Sequence, residues 1–141
     1  MAKPDPALLD PARYTFAHEV TTRFADLDPN DHINNVAMAA VLEDGRVRFN
    51  VQVGLKRTET FRPMVASVGI EYLAQAHFPQ SMTCHVAACE IGRSSWQMQQ
   101  LLMQDGRAVA TCRTVVVCTN GESAMPIPGE FRSLLQPWLL K

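Results

Sequence analysis

The sequence predicts an α+β domain: an antiparallel sheet curved around one long central helix, with a short C-terminal helix beside it. Three observations carry the prediction. Residues 35–53 form an almost unbroken apolar helix, four strand-like stretches with short turns follow it, and one alternating strand precedes it. With 141 residues, 47% of them apolar, the chain has the size of one domain and the material for a real core. No repeat, low-complexity tract or linker divides it, so residues 1–141 are expected to form a single domain.

The helix reading rests on spacing. Val36, Met38, Ala39, Ala40, Val41 and Leu42 leave almost no polar side early on, and Phe49 and Val53 continue the stripe from Leu42 and Gly45. A segment apolar nearly all round is expected to be buried. Asn34 and Asn35 can cap the free N–H groups of a first turn, and Gly54 is the residue expected just past the end. At about 1.5 Å per residue the helix is roughly 28 Å long, enough to cross a small domain.

A buried central helix needs a sheet around it, and the rest of the chain supplies the strands. Residues 1–12 are Pro-rich and are expected to be a loose N-terminal segment or a short docking one. Tyr14, Phe16, His18, Val20, Thr22 and Phe24 then share one face of a half-buried strand. After Gly54 a polar connection, LKRTETFRP, leads to a strand over 64–72 with Met64, Ala66, Val68, Ile70 and Tyr72 on one face. Pro79 breaks the pattern, because it cannot sit in a central ladder. Strands follow over 82–91 and 94–104, parted by Gly92 and Arg93, and the hairpin signal Asp105-Gly106 opens a last strand over 107–119. Asn120-Gly121 ends it, and Pro126 and Pro128 lead into an amphipathic helix over 130–140 with Phe131, Leu134, Leu135 and Trp138 on its stripe.

Charge and cysteine usage narrow the function classes. There are 13 Lys and Arg against 14 Asp and Glu, so no nucleic-acid surface is expected. No apolar run approaches the roughly 20 residues that span a bilayer, and the start lacks the apolar core of a signal peptide. A cytoplasmic protein without membrane insertion is therefore expected. Cys84, Cys89, Cys112 and Cys118 lie in strand-like runs without metal-ligand spacing, which reads as buried free thiols rather than a zinc site.

The most specific stretch lies before the helix. The run Arg23-Phe24-Ala25-Asp26-Leu27-Asp28, then His32-Ile33-Asn34-Asn35, with Glu43 and Arg46 on the helix, resembles the hotdog-fold acyl-CoA thioesterases, in the branch that includes 4-hydroxybenzoyl-CoA thioesterase. Ile91-Gly92-Arg93-Ser94-Ser95 and Ile127-Pro128-Gly129-Glu130-Phe131-Arg132 are also similar to that family, so the likeness covers residues 16–135. It implies a hotdog fold and hydrolysis of an acyl-CoA thioester. By the same likeness Asp28 acts on the thioester, the Asn35 N–H holds the thioester oxygen, and His32, Asn34 and Asn35 shape the loop and helix start. Glu43 matches a helix acid that takes part in related members. The family's sheets pair into dimers with active sites at the subunit interface, so a homodimer or homotetramer is expected, with coenzyme A entering from the surface. Two positions depart from the pattern: Asp31 stands where Gly is usual, and Met38 where Tyr is frequent, which makes the expected pocket wall more apolar.

The chemistry agrees with these residues. A thioester carbonyl under attack gathers negative charge on oxygen, which an N–H at a helix N-terminus stabilises by hydrogen bond and dipole. A nearby carboxylate attacks directly or deprotonates water, so Asp28 is nucleophile or general base, with no cofactor or metal beyond the coenzyme A of the substrate. Asp26 reads as a turn acid, and His32 as either a loop hydrogen-bonder or a substrate contact. Glu43 has a bland alternative as the partner of Arg46 or Arg23; His18, His77 and His85 read as structural. The phosphates of coenzyme A call for cations, and Arg93 with Ser94 is preferred over Lys56, Arg57 and Arg62. The helix face Val36, Met38, Ala39, Ala40 and Val41 suits an aliphatic or aromatic acyl group rather than a charged one. A hotdog module that binds acyl-CoA or an acyl-carrier protein without cleaving it is the alternative, motivated by Asp31 and Met38; a dehydratase is disfavoured by the His and acid spacing.

Overall fold

The computed structural model describes residues 3–141. Its elements are β1 (Phe16–Val20), α1 (Asn35–Val53), β2 (Met64–Tyr72), β3 (Met82–Cys89), β4 (Ser95–Gln104), β5 (Arg107–Val117) and α2 (Gly129–Leu135). All five strands form one antiparallel sheet in the order β1-β3-β4-β5-β2. The expected order of strand, long helix, four strands and short helix holds. Because β1 and β2 take opposite edges, α1 must cross the sheet between them, and it lies along the inner face.

Local chemistry sets the element ends. The Asn34 side chain accepts from Ala37 N at 2.7 Å, capping α1, and Gly54 closes it at φ 96. Asp105 and Gly106 take φ 50 and φ 73, as a tight turn with the twist of a hairpin requires. The other boundaries are tighter than the pattern suggested. β1 stops at Val20 because its partner β3 begins at Met82, opposite it. β3 ends and β4 begins at a turn in which Gly92 N donates to Ser95 O. A register shift between Val65 and Ser67 puts Met64 on the other face from Val68, Ile70 and Tyr72. The last helix ends at Leu135 and continues as a 3-10 turn over Gln136–Trp138, because Pro137 has no N–H to donate back into an α-helix.

The core lies between α1 and the inner sheet face. Met38, Leu42, Gly45, Arg46, Phe49 and Val53 of α1 are buried against Cys84, Val86, Trp96, Met98, Leu102, Ala110 and Cys112. Burial of each large apolar side chain here is worth about 1.5–3 kcal/mol. The helix is not buried all round, as its apolar composition suggested: Val36 is 80%, Val51 74% and Val47 56% exposed. The sheet is open and covers one side of α1 only.

The outer face carries a second apolar cluster of Tyr14, Ala87 and Leu101. It is covered by the chain ends, so residues 5–12 dock rather than hang loose, the second of the two expectations for this segment. The 3-10 turns Pro6–Leu9 and Pro11–Arg13 are capped by Asp5 and Asp10, and Leu9 packs on the cluster. Tyr14 Oη donates to Leu8 O, Arg13 to Ala7 O and Lys141 O, and Leu140 N to Ala88 O. Burial pushes the Tyr14 hydroxyl up to about 12. Met1 and Ala2 lie outside the described residues.

Gly45 permits a close helix–sheet approach, since a Cβ there would stand 2.6 Å from Cys84 Sγ. Gly45→Ala is expected to lower unfolding free energy by about 1–3 kcal/mol in urea titration, through overpacking, despite the better helix propensity of Ala.

Candidate active site

The acid-rich loop is built by its own backbone. An antiparallel bridge pairs Leu27 with Ile33, and within it Asp28 N donates to His32 O at 2.8 Å while Asp31 N donates to Asp28 O at 3.0 Å. Asp31, where the related pattern has Gly, adopts φ 60, so the turn needs a left-handed residue and Asp tolerates that conformation better than most. The Asp28 carboxylate serves the turn with one oxygen: Oδ1 accepts from Asn30 N at 2.8 Å and His32 N at 3.1 Å. Among the described residues none donates to its other oxygen. A half-buried carboxylate is thereby fixed in place with one oxygen free.

Asn34 ties this loop to the helix. Its backbone N–H and its side-chain amide both donate to Asp26 O, at 2.9 and 2.8 Å, while its Oδ1 caps α1. The Asn35 N–H, first of the helix amides, meets no acceptor among the described residues. Tyr72 Oη donates to Asn35 O at 3.0 Å and links the end of β2 to the helix start. Asp26 is an ion-pair acid, with Arg23 donating to both of its carboxylate oxygens at 3.0 and 2.8 Å. That hydrogen-bonded guanidinium holds its carboxyl below the ordinary carboxylate value.

Two residues that sequence reasoning left in the background set the loop's position. The His32 and His77 rings meet edge to face at 5.2 Å between centroids. His77 is held in turn by buried Gln104, whose Oε1 accepts from His77 N and whose Nε2 donates to His77 O and Gln80 O. Ile33 N also donates to Ala76 O. The segment after β2 is thus a support for the loop before α1. A signal for Gln104 was present: it falls in phase with Trp96, Met98 and Leu102 on the inner side of its strand, where a polar residue needs a partner. Nothing local in the sequence marks His77.

The remaining candidates lie elsewhere. Met38, expected in the pocket wall, points into the core and is 2% exposed. Glu43 is exposed and bonds neither proposed partner: Arg23 takes Asp26, and Arg46 donates to Gln100 Oε1 at 3.1 Å and Cys112 Sγ at 3.7 Å. Glu43 is eight residues past Asn35, about 12 Å along α1. Arg93 and Ser94 sit at the β3–β4 turn, beside the start of β2 and the end of β5. Tyr72 and the α1 start lie at the opposite sheet end, so the nine-residue β2, about 30 Å long, separates the two groups.

The four cysteines are free, and burial raises all of their thiols, that of Cys84 to about 12, which keeps them protonated at neutral pH. Among the described residues no three His, Cys, Asp or Glu side chains gather as metal ligands. His18 lies 3.8 Å from Asp44, and the His85 ring lies tilted against Tyr14 at 6.0 Å between centroids.

Two outcomes follow from the loop geometry. Asn34→Ala removes the cap and the side-chain half of the tie to Asp26 O, and is expected to cost about 1–2 kcal/mol in thermal or urea unfolding. The Asp26 pKa is depressed below 3.8 in the folded chain, so its ion pair contributes fully above that pH, and the contribution is lost as pH falls through the lower folded value. Asp26→Asn is therefore expected to flatten the acid limb of a stability–pH curve below about pH 4 while leaving its shape at neutral pH.

Comparison with known proteins agrees with this architecture. The thioesterase-like superfamily matches residues 22–136. No curated protein matches the sequence. A thioesterase from Thermus thermophilus, solved with coenzyme A and Zn, superposes with a TM-score of 0.79 at 27% identity over 87% of this chain and 98% of that one. A Pseudomonas aeruginosa protein superposes with a TM-score of 0.79 at 26% identity, over 92% and 95% of the two chains. A 4-hydroxybenzoyl CoA thioesterase mutant, solved with 4-hydroxybenzoyl CoA, shares the fold at TM-score 0.76 and 13% identity, over 85% and 97%. With the sheet cradling α1 and a profile match running from the acid-rich loop to the C-terminal helix, the chain belongs to the thioesterase-like superfamily and has its hotdog fold.

Proposed function

We propose that this protein hydrolyses acyl-CoA thioesters, with Asp28 as nucleophile or general base and the Asn35 N–H as oxyanion donor. The observation that carries the reading is the pairing of a fixed carboxylate having one free oxygen with a helix start whose first amide is unclaimed. With Asp28 as general base, water adds its oxygen to the acyl carbon and the carbon–sulfur bond breaks; with Asp28 as nucleophile, its carboxylate first displaces the thiolate, and water then cleaves the acyl–oxygen bond of the resulting anhydride and restores the carboxylate. In both routes sulfur leaves with a proton as free coenzyme A and the acyl group as the acid. Charge that builds on the carbonyl oxygen is met by the helix dipole and the Asn35 amide.

The working unit in this reading is a homodimer. β2 is an edge strand whose residues are exposed apart from half-buried Ile70, with Met64 57%, Val65 53% and Val68 44% exposed, and the open side of α1 adds Val47 and Val51. An apolar edge beside an apolar helix face calls for cover. Antiparallel pairing of β2 with β2 of a second copy covers both, and it reverses the sheet ends. The Asn35 helix start of one copy then faces the β2 start of the other, along with that copy's Glu43, Arg93 and Ser94. This supports an interfacial site in which Arg93 and Ser94 serve coenzyme A across the interface. The same arrangement leaves dimer against tetramer to sedimentation analysis. Docking of residues 3–13 on the outer face argues for the dimer.

One observation favours the non-hydrolytic module: both hydrogen bonds to Asp28 are structural. Asp28→Asn separates the readings, because an amide Oδ1 can still accept from Asn30 and His32 while the charge is gone. In a thiol-release assay over short, long and aromatic acyl-CoA esters, this variant is expected to lose at least about 100-fold in kcat with unchanged unfolding and dimer mass. Equal turnover by wild type and variant overturns the role of Asp28. Tight binding of an ester without thiol release by wild type assigns the module.

A further inference from the structure

We infer that the cleft between α1 and the start of β2 receives the acyl group, and that Arg46 selects acyl groups ending in a carboxylate. The inference rests on the dimeric thioesterase reading for how the thioester reaches the cleft, since the second copy's helix start would stand at its mouth.

The cleft has a volume of about 210 Å³, and its walls include Glu43, Arg46, Asn50, Arg57, Val65 and Met98. A dry cavity of about 150 Å³ accepts benzene, so this space suits a chain of roughly four to six carbons. Its floor is the unusual feature. Arg46 is 8% exposed, held by α1 over the middle of the sheet, and only neutral groups meet it: Gln100 Oε1 and Cys112 Sγ, both through Nη1. Among the described residues no carboxylate lies within 4.0 Å of its guanidinium, and its remaining N–H groups find no acceptor. These nitrogens are also absent from the fully buried unpaired atoms, which leaves them the cleft to face.

A buried cation without an anion is costly, and a planar fork with free donors matches a carboxylate through paired N–H···O bonds. The charges around it agree. Arg57 stands in the same wall, anchored through Nη2 to Pro63 O at 2.7 Å, against one acid, exposed Glu43. The cleft is therefore net positive, with Glu43 at the solvent side rather than on the guanidinium. This changes the acyl preference read from the helix sequence. Val36 and Met38, taken there as pocket wall, are respectively 80% exposed and buried in the core, and the wall comes from the next turns of α1.

Glutaryl-CoA and valeryl-CoA, which share a five-carbon acyl chain and differ in the terminal carboxylate, test the assignment. Wild type is expected to favour glutaryl-CoA in kcat/KM by about tenfold or more. Arg46→Met should bring that ratio close to one, Arg46→Lys should retain part of it, and Glu43→Gln should raise it by removing the competing anion. If Arg46→Met fails to fold, the wild-type ratio and its rise in Glu43→Gln decide. A wild-type ratio near or below one, or a ratio unchanged in Arg46→Met, overturns the inference. If neither ester is cleaved, the thiol-release panel of short, long and aromatic esters decides the hydrolase reading separately. The ratio of the two dissociation constants, measured by calorimetry on the same variants, then decides the role of Arg46 by the same criteria.

Discussion

The structure depends on how closely α1 can lie against the sheet. Gly45 lets the helix backbone come down onto Cys84, and at that depth Gln100 of β4 reaches the helix from below. Its Nε2 donates to Leu42 O at 2.8 Å and its Oε1 accepts from Arg46. A fully buried glutamine is tolerable only because both ends of its amide are satisfied. The pin fixes α1 in rotation and translation, and so places the helix start at one end of the sheet and Arg46 beneath the cleft. A larger residue at position 45 would lift the helix and separate these groups together.

The loop ahead of α1 uses the same few atoms for folding and for the proposed chemistry. Asp28 closes the turn with one oxygen and keeps the other free; Asn34 caps the helix and clasps Asp26 O. Short polar side chains bonded to nearby backbone make a rigid loop without apolar contacts of its own. Rigidity is what a carboxylate that must meet a carbonyl carbon requires. The support from His77 and Gln104 extends this rigidity to the other side of His32.

What the single chain leaves open is as informative as what it closes. The outer sheet face is covered by the chain's own ends, while the inner edge at β2 and one side of α1 remain apolar and exposed. That asymmetry fits a second copy at β2 and agrees with a site whose parts lie at opposite ends of one sheet. Arg46 then becomes intelligible as a cation kept for a group that arrives from outside the chain.

The sequence by itself determined the local structure. The bounds of α1 and β2, the Asn34 cap, the Gly54 stop and the Asp105-Gly106 hairpin all follow from side chains acting within a few residues. It also marked the loop around Asp28 and His32, because short acids and amides before an apolar helix form a local signal. Only the tertiary structure decided which apolar residues are core. Val36 and Met38 look alike in sequence, yet one faces solvent and the other the sheet, because burial depends on which side of α1 the strands occupy. It alone set Arg93 and Ser94 about 30 Å from the helix start and brought His77 to His32, since the strand order β1-β3-β4-β5-β2 is a property of pairing across the whole chain.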